Sequence, residues 1–140
     1  MTRGPREVAE SYWRAECARD VDAVLDHYLP DAEFQSPNAR YRGRDEIRTY
    51  YADSAARYPG LEVTILRDVT IGNLGAIEWR ATLTDHAGRT WAVDGVNVVE
   101  VRDGRFAWAH SYFDTALIGS SRATGRTAHV GGGTSGTTPQ

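Results

Sequence analysis

The sequence is poor in cysteine and in long apolar runs, and both shortages exclude whole classes of protein. Cys17 is the single cysteine among 140 residues, so neither an internal disulfide nor a multi-cysteine zinc site can form. No apolar run approaches the ~18 residues of a membrane span, and the N-terminus lacks the apolar segment of a signal peptide. We therefore expect a soluble, cytoplasmic protein with no membrane partner.

Residue patterns that hold metals, nucleotides or serine nucleophiles are absent as well. The four histidines are not spaced as paired metal ligands. The sequence contains no glycine-rich phosphate loop, no HExxH zinc motif and no GxSxG turn. These absences favour a protein that uses neither a metal nor a cofactor.

Positive charge is scarce over most of the chain. The formal charge is −3, and residues 119–140 hold two arginines and no acid, so the remaining body carries −5. A negative body disfavours nucleic acid as a partner. Residues 119–140 also hold 6 of the 14 glycines and almost no large apolar side chain, so we expect a flexible tail.

The body divides into a helical part and a strand-rich part. Apolar residues at helical spacing predict a first helix over residues 7–19, a short second helix capped by Asp20 and ended by Leu29-Pro30, and a third capped by Asp45. A short strand over 32–36 precedes the third helix. After Gly60 the period falls to two, which predicts further strands over residues 61–71, 76–84, 91–101 and 106–113.

This order of elements predicts an α+β fold in which a curved, mostly antiparallel sheet wraps three N-terminal helices. We expect one domain over residues 6–118, preceded by a flexible N-terminus over residues 1–5 and followed by the tail.

Four segments resemble the NTF2-like superfamily, which includes SnoaL-like polyketide cyclases, ketosteroid isomerases and limonene-epoxide hydrolases. They are residues 28–37, 41–50, 94–104 and 110–114. The resemblance extends over residues 8–117. It implies a cone-shaped fold that encloses a blind apolar pocket, a hydrophobic small-molecule ligand and a homodimer.

The same resemblance assigns positions to catalytic groups, and most of the expected carboxylates are missing. Tyr12 falls on the tyrosine of a ketosteroid-isomerase-like site, whereas Ser36 replaces the base and Asn97 replaces the second acid. Ser111 replaces the general acid of SnoaL-type enzymes. The epoxide-hydrolase positions read Phe34, Ser36, Thr82, Arg80 and Ser111, so only the arginine is retained and epoxide hydrolysis is not expected.

Two other residues remain candidates for moving a proton. His110 is one, although strand alternation places it opposite Ser111 and outside the pocket unless a bulge redirects it. Asp94 is the other, and it requires that Gly95 bends the strand towards the pocket. Arg80 is either an anchor for a ligand oxygen in the pocket or a partner of Glu78 on the exposed face.

Aromatic residues are abundant, and we expect several of them to wall the pocket. The predicted ligand-contacting residues are Trp13, Phe34, Ser36, Tyr51, Arg80, Trp91 and Ser111, and the predicted catalytic residues are Tyr12, Asp94, Asn97 and His110.

The function we expect is that of a cofactor-free enzyme that isomerises, cyclises or dehydrates a hydrophobic carbonyl compound such as a polyketide or a steroid-like molecule. A non-catalytic ligand-binding or assembly module is the alternative. Apolar residues on both faces of the last two strands predict a dimer through the convex sheet face, with Val98, Trp108 and Tyr112 as interface candidates.

Overall fold

The structure, a computed structural model, describes residues 3–117. The tail predicted for residues 119–140 lies outside these residues, as does residue 118. The helices are α1 (Pro5–Cys17), α2 (Val21–Leu25) and α3 (Gly43–Arg57), with a final 3₁₀ turn at Thr115–Leu117. The strands are β1 (Tyr28–Gln35), β2 (Arg40–Arg42), β3 (Gly60–Ile71), β4 (Leu74–Thr84), β5 (Thr90–Arg102) and β6 (Arg105–Phe113).

The six strands form one mixed sheet in the order β2-β1-β6-β5-β4-β3. Each neighbouring pair is antiparallel except β1 and β6, which run parallel. The helices pack on one face of this curved sheet, and the predicted α+β, cone-like architecture is confirmed.

Helix α1 begins earlier than the pattern predicted. Pro5, which we expected in a flexible segment, is buried as the first helical residue and packs against Gly75 at the start of β4. The Glu7 carboxylate accepts a hydrogen bond from the Gly4 backbone N–H at 2.8 Å. This contact satisfies one of the free donors at the helix start.

The second and third helices differ from the prediction at their boundaries. Asp20 caps α2 by accepting from the Ala23 N–H at 3.1 Å, as expected. The prediction that Leu29-Pro30 ends this helix is wrong. Pro30 lies within β1, where the pairing with β6 is irregular, so its missing N–H breaks no regular ladder. Helix α3 begins two residues before the predicted cap Asp45, and the Glu46 carboxylate bonds the Arg42 N–H at 2.8 Å instead.

Strand alternation determines which side chains face the helices. Odd-numbered residues of β4 and β5 point to the concave face, where Ile77, Val93 and Val99 are fully buried. Even-numbered residues, including Arg80 and Asp94, lie on the convex face. This alternation determines which side chains of β4 and β5 can line a cavity between the sheet and the helices.

Candidate functional site

A cavity of about 480 Å³ opens between α1, α3 and the concave face of the sheet. Its walls are rich in aromatic rings, with Trp13, Phe34, Tyr50, Tyr58, Trp79 and Phe113 among them. Polar and charged side chains also contribute to the wall, and a cavity of this size with aromatic and polar lining is typical of small-molecule sites.

Six of the residues predicted from the sequence line this one cavity. They come from α1, β1, its following loop, β5 and β6, and they are Tyr12, Trp13, Phe34, Ser36, Asn97 and Ser111. Tyr12 and Asn97 do not bond each other: Tyr12 bonds Tyr51, and Asn97 bonds Trp79.

Tyr12 stands at the end of a chain of buried phenols. Its hydroxyl lies 2.5 Å from that of Tyr51, which lies 2.7 Å from that of Tyr28. Three hydroxyl protons serve two hydrogen bonds, so one proton is left over. Tyr28 is fully buried, and its proton is best used on Tyr51. Tyr51 then donates to Tyr12, and the Tyr12 proton remains for the neighbouring Glu16 carboxyl or for a ligand in the cavity.

This chain is electrically neutral. Burial raises the pKa of Tyr12, Tyr28 and Tyr51 well above that of an exposed phenol. All three therefore stay protonated around neutral pH. Successive hydrogen bonds polarise one another, which makes the terminal hydroxyl a better donor.

The orientation of the Asn97 amide is fixed by Trp79. Trp79 Nε1, which can only donate, bonds Asn97 Oδ1 at 2.9 Å. The oxygen therefore faces the indole and the NH₂ group faces away from it. Asn97 is buried and lines the cavity, and no contact of its NH₂ group is found among the described residues, so this group is available to donate a hydrogen bond into the cavity.

The two serines of the site differ in how their hydroxyls are used. Ser36 accepts from the backbone N–H of Ala39 at 3.2 Å and of Asn38 at 3.4 Å, so it closes the turn after β1. Ser111 is paired with Asn97 across β5 and β6 and points into the cavity. Ser36 therefore shapes the wall, whereas Ser111 offers its hydroxyl to a ligand.

Two carboxyl groups in the cavity wall, Glu16 and Asp53, were not among the predicted residues. Glu16 lies on α1 one turn after Tyr12, and its side chain is only 13% exposed. Burial raises the pKa of Glu16, and the nearby Arg19 guanidinium and Tyr12 hydroxyl lower it by smaller amounts. The sequence did carry a signal, because the i, i+4 spacing puts Glu16 on the buried face below Tyr12.

Two predicted residues, Asp94 and Arg80, lie outside the cavity. They face each other across β4 and β5 on the convex side, where Arg80 donates to both carboxylate oxygens at 2.8 and 3.1 Å. This pairing lowers the pKa of Asp94, whose side chain is 56% exposed. Gly95 keeps its regular register and does not turn Asp94 inwards, so the expectation that Asp94 serves as the base is corrected.

His110 also lies on the convex face, as strand alternation indicated. Its Nε2 is 3.0 Å from a carboxylate oxygen of Glu33 on β1, and its ring packs against Trp108 at 4.8 Å between centroids. His110 is therefore not a cavity group.

The remaining predicted contacts, Tyr51 and Trp91, are buried next to the cavity rather than in its wall. Tyr51 acts through its hydroxyl on Tyr12, as described above. Trp91 packs edge-on against Tyr58, which does line the cavity. Among the described residues, Trp91 Nε1 is the one buried side-chain nitrogen or oxygen without a hydrogen-bond partner.

Within residues 3–117, no three histidine, cysteine or acidic side chains are grouped as a metal site would require. None of the helices in this part of the chain is both long and apolar enough to cross a membrane.

The fold and cavity agree with a comparison of the sequence with family models. Residues 9–109 match the model of the SnoaL-like domain, which accounts for most of the chain. The chain belongs to the SnoaL-like family. No curated protein matches the sequence.

Several solved structures share the SnoaL-like architecture. A protein of ketosteroid isomerase-like fold from Catenulispora acidiphila, solved with trimethylamine, is 18% identical with a TM-score of 0.74, over 82% of this chain and 90% of that one. IdmH from Streptomyces antibioticus, a proposed polyketide cyclase, is 21% identical with a TM-score of 0.72, over 82% and 95%. An LEH-like epoxide hydrolase from M. tuberculosis is 25% identical with a TM-score of 0.69, over 79% and 83%.

The SnoaL-like fold explains why Ser36, Asn97 and Ser111 converge on one cavity. The loop after β1 and the strands β5 and β6 all present residues to its wall. These positions were assigned from resemblance, and the structure places all three in the same wall. In this SnoaL-like chain the buried carboxyl is supplied by α1 instead, through Glu16.

Proposed function

We propose that this protein is a cofactor-independent enzyme that isomerises, cyclises or dehydrates a hydrophobic carbonyl-bearing small molecule, such as a polyketide or a steroid-like compound. The carrying observation is that the chain of buried phenols ends at Tyr12 in a cavity walled by aromatic rings, and that the Tyr12 proton is not taken up by the other two phenols. Membership of the SnoaL-like family and the likeness to a proposed polyketide cyclase support this class of activity.

The chemistry follows from what two donors do to a carbonyl. When a proton leaves the carbon next to the carbonyl, the electron pair of the C–H bond moves towards the oxygen and creates an enolate. Hydrogen bonds from Tyr12 and from the Asn97 NH₂ group stabilise that oxygen more strongly than the neutral carbonyl. Return of the proton to another carbon completes an isomerisation, and loss of a leaving group completes a dehydration.

The aromatic walls favour a flat or polycyclic substrate. Rings such as Trp13, Phe34 and Trp79 offer large apolar faces with few polar atoms. The trimethylamine in the Catenulispora protein and the polyketide activity proposed for IdmH are further support for a small organic ligand.

A non-catalytic binding module is the second candidate. Serine and asparagine stand at the positions where related enzymes carry carboxylates, and Ser36 uses its hydroxyl to close a turn. A simple apolar receptor favours the neutral form of a weakly acidic ligand, because burial penalises charge. An enolate-stabilising site favours the ionised form.

The test is the ionisation state of bound 2-naphthol, whose anion resembles an enolate. We expect its pKa in the cavity to be lower in the wild type than in Tyr12→Phe or Asn97→Leu. Each lost donor changes the ratio of ionised to neutral ligand by on the order of tenfold, since a hydrogen bond to a charged group contributes about 1.5–3 kcal/mol. Absorbance and fluorescence titrations measure the ratio.

Asp94→Asn is the matched control, because this residue lies on the convex face. Binding of neutral 2-naphthol alone, with the same pKa in all variants, would favour the binding module. Failure of the wild type to bind 2-naphthol at all would count against both candidates.

A homodimer in the cytoplasm also belongs to the proposal. The single cysteine is consistent with a reducing compartment, and exposed apolar residues on the convex face support a dimer.

A further inference from the structure

Glu16 is a carboxyl group placed where the proposed chemistry needs a proton acceptor. It follows Tyr12 by one helical turn, so both side chains leave the same face of α1. Both line the cavity. The carboxyl therefore lies close to the ligand oxygen that Tyr12 would hold.

Arg19 is the positive residue nearest to Glu16, and its side chain is held in place by contacts with other residues. Arg19 Nη1 lies 3.9 Å from Glu16 Oε2, beyond a close ion pair. The Arg19 guanidinium instead donates to the backbone carbonyl of Tyr58 at 2.6 and 2.9 Å and to that of Ser54 at 3.3 Å. It therefore anchors the end of α3, and Glu16 keeps the Tyr12 hydroxyl as its hydrogen-bond partner at the cavity wall.

The backbone at Arg19 adds a second observation. Arg19 has φ 58°, in the left-handed region where glycine is usual at the end of a helix. Its N–H bonds the Glu16 carbonyl at 2.9 Å, and the Asp20 N–H bonds the Ala15 carbonyl at 3.1 Å, which forms a Schellman cap. An arginine here costs about 1–2 kcal/mol more than glycine in backbone strain. The side chain must compensate, and its contacts are with Glu16 and the end of α3.

Other acidic groups near the site do not meet the same conditions. Asp53 lines the cavity, but its side chain is 64% exposed and pairs with Arg57 at 3.4 Å. Asp94 is on the convex face. Among the described residues of the cavity wall, Glu16 is thus the carboxyl that is buried.

We propose that Glu16 is the proton-transfer residue of this site, its carboxylate taking a proton from a carbon of the ligand while Tyr12 and Asn97 hold the ligand oxygen. This inference rests on the proposed function. Arg19 is a positioning residue, since it sets the charge environment of Glu16 without facing the ligand.

The electrostatic surroundings make Glu16 a stronger base than an exposed glutamate. Burial raises the pKa of Glu16 above the usual glutamate value, and Arg19 limits the rise. A base is most effective when its pKa approaches the working pH. Several ionisable groups interact electrostatically with Glu16. They lie on α1 and its C-terminal cap, on β1 and on α3, and they are Tyr12, Cys17, Arg19, Tyr28, Tyr50 and Tyr51. Burial raises the pKa of each of these tyrosines, so Arg19 is the charged member of the set near neutral pH.

The test uses 5-nitrobenzisoxazole, a small flat carbon acid that reports proton removal by a carboxylate. The base takes the proton from C3, the C–H electrons form the nitrile, the N–O bond breaks and a coloured phenolate is released. We expect the wild-type protein to accelerate this reaction, and Glu16→Gln to lose on the order of 10²-fold or more of the rate. Glu16→Asp should restore part of it.

Two variants separate this role from the alternatives. The Asp94→Asn variant should catalyse the elimination of 5-nitrobenzisoxazole at the wild-type rate. Arg19→Met should move the pH midpoint of the reaction upwards, because the positive charge that lowers the pKa of Glu16 is lost, and Arg19→Lys should move it less. A merely structural role for Arg19 would change the melting temperature and leave the midpoint in place. If Arg19→Met does not fold, the Glu16 series in the folded chain decides.

The outcomes distinguish this inference from the proposed function. If the wild type binds ionised 2-naphthol through Tyr12 while Glu16→Gln retains the elimination rate, Glu16 is not the base and the proposed function stands. Glu16 is likewise not the base if Asp53→Asn abolishes the elimination rate instead, or if the wild type shows no elimination above background. The proposed function stands in both cases. If the wild type does not bind 2-naphthol, the proposed function itself fails.

Discussion

Trp79 donates a hydrogen bond to Asn97 across β4 and β5, with Nε1 2.9 Å from Oδ1. The two are not direct partners in the sheet, because Trp79 lies opposite Gly95. The indole crosses over this glycine, and a Cβ there would collide with the ring and come within 2.7 Å of the Tyr112 carbonyl oxygen. Gly95 thus makes room for the ring that orients the amide.

Replacing the Trp79 indole by a phenyl ring should weaken the donor function of Asn97. Trp79→Phe leaves a ring but frees the amide to present either oxygen or nitrogen. We expect the ionised fraction of bound 2-naphthol to fall, though by less than in Asn97→Leu, where the donor is gone. The free energy of unfolding should drop by about 1 kcal/mol for the lost hydrogen bond, and further for the packing that the smaller ring gives up. Naphthol titration and urea unfolding measure the two effects, and an unchanged titration in Trp79→Phe would show that the indole does not orient the amide.

Glu16→Gln should stabilise the fold at neutral pH. The pKa of Glu16 is raised in the folded state, so its contribution to stability is complete below the unfolded pKa of about 4.3 and is lost as the pH rises through the folded pKa. The variant should therefore unfold at a higher temperature than the wild type at pH 7, with no such advantage at about pH 4.

Asp94→Asn is a control in which the change in stability at neutral pH should have the opposite sign. Arg80 lowers the pKa of Asp94, so the ionised form favours folding and the variant should be slightly less stable at neutral pH. A wild type more stable than Glu16→Gln at pH 7 would contradict the burial cost of Glu16.

His27 should make the fold sensitive to mild acid. Its Nδ1 lies 2.8 Å from the Ala23 carbonyl oxygen and so carries the proton, while Nε2 lies 2.7 Å from the Ser11 hydroxyl and accepts from it. Burial lowers the pKa of His27, so the neutral ring favours folding and that stability is lost as the pH falls below about 6.5.

His27→Asn keeps a donor for the Ala23 carbonyl and removes the titration. We expect its free energy of unfolding to vary less between about pH 7 and about pH 5 than that of the wild type. Equal pH dependence in the two proteins would show that other groups dominate the acid response.

The convex face should mediate a dimer. Tyr112 is 46% exposed there, in register with Val96 and near the half-buried Val98 and Trp108. Tyr112→Glu should shift the protein from dimer to monomer in light scattering at micromolar concentration, whereas Tyr112→Phe should not, because the ring remains. A monomeric wild type would refute the prediction.

The sequence predicted the framework of this protein better than its chemistry. Period-two alternation located β3 to β6 within a few residues, and the same parity placed Asn97 with Val99 on the concave face. It also pointed Asp94 outwards. Assuming that Gly95 would break the alternation was the error, because that glycine accommodates a neighbouring ring rather than a bulge.

The phenol chain and the buried carboxyl were harder to predict. Tyr28 and Tyr51 belong to different elements, and their meeting with Tyr12 depends on how α3 packs on β1. Glu16 was visible on the buried face of α1, but a glutamate at a helix end is usually solvated. Its burial depends on Arg19, whose left-handed backbone no propensity favours.

The parallel pairing of β1 with β6 has a consequence for how the protein is made. Phe34 lies beside Ala109, so an early strand and the last described strand are neighbours inside the sheet. The cavity takes Tyr12 and Glu16 from the first helix and Ser111 from the last strand. A ribosome must therefore release β6 before the cavity exists, and such distant pairings form slowly. Ligand binding by a nascent chain would mark the moment at which synthesis has passed β6.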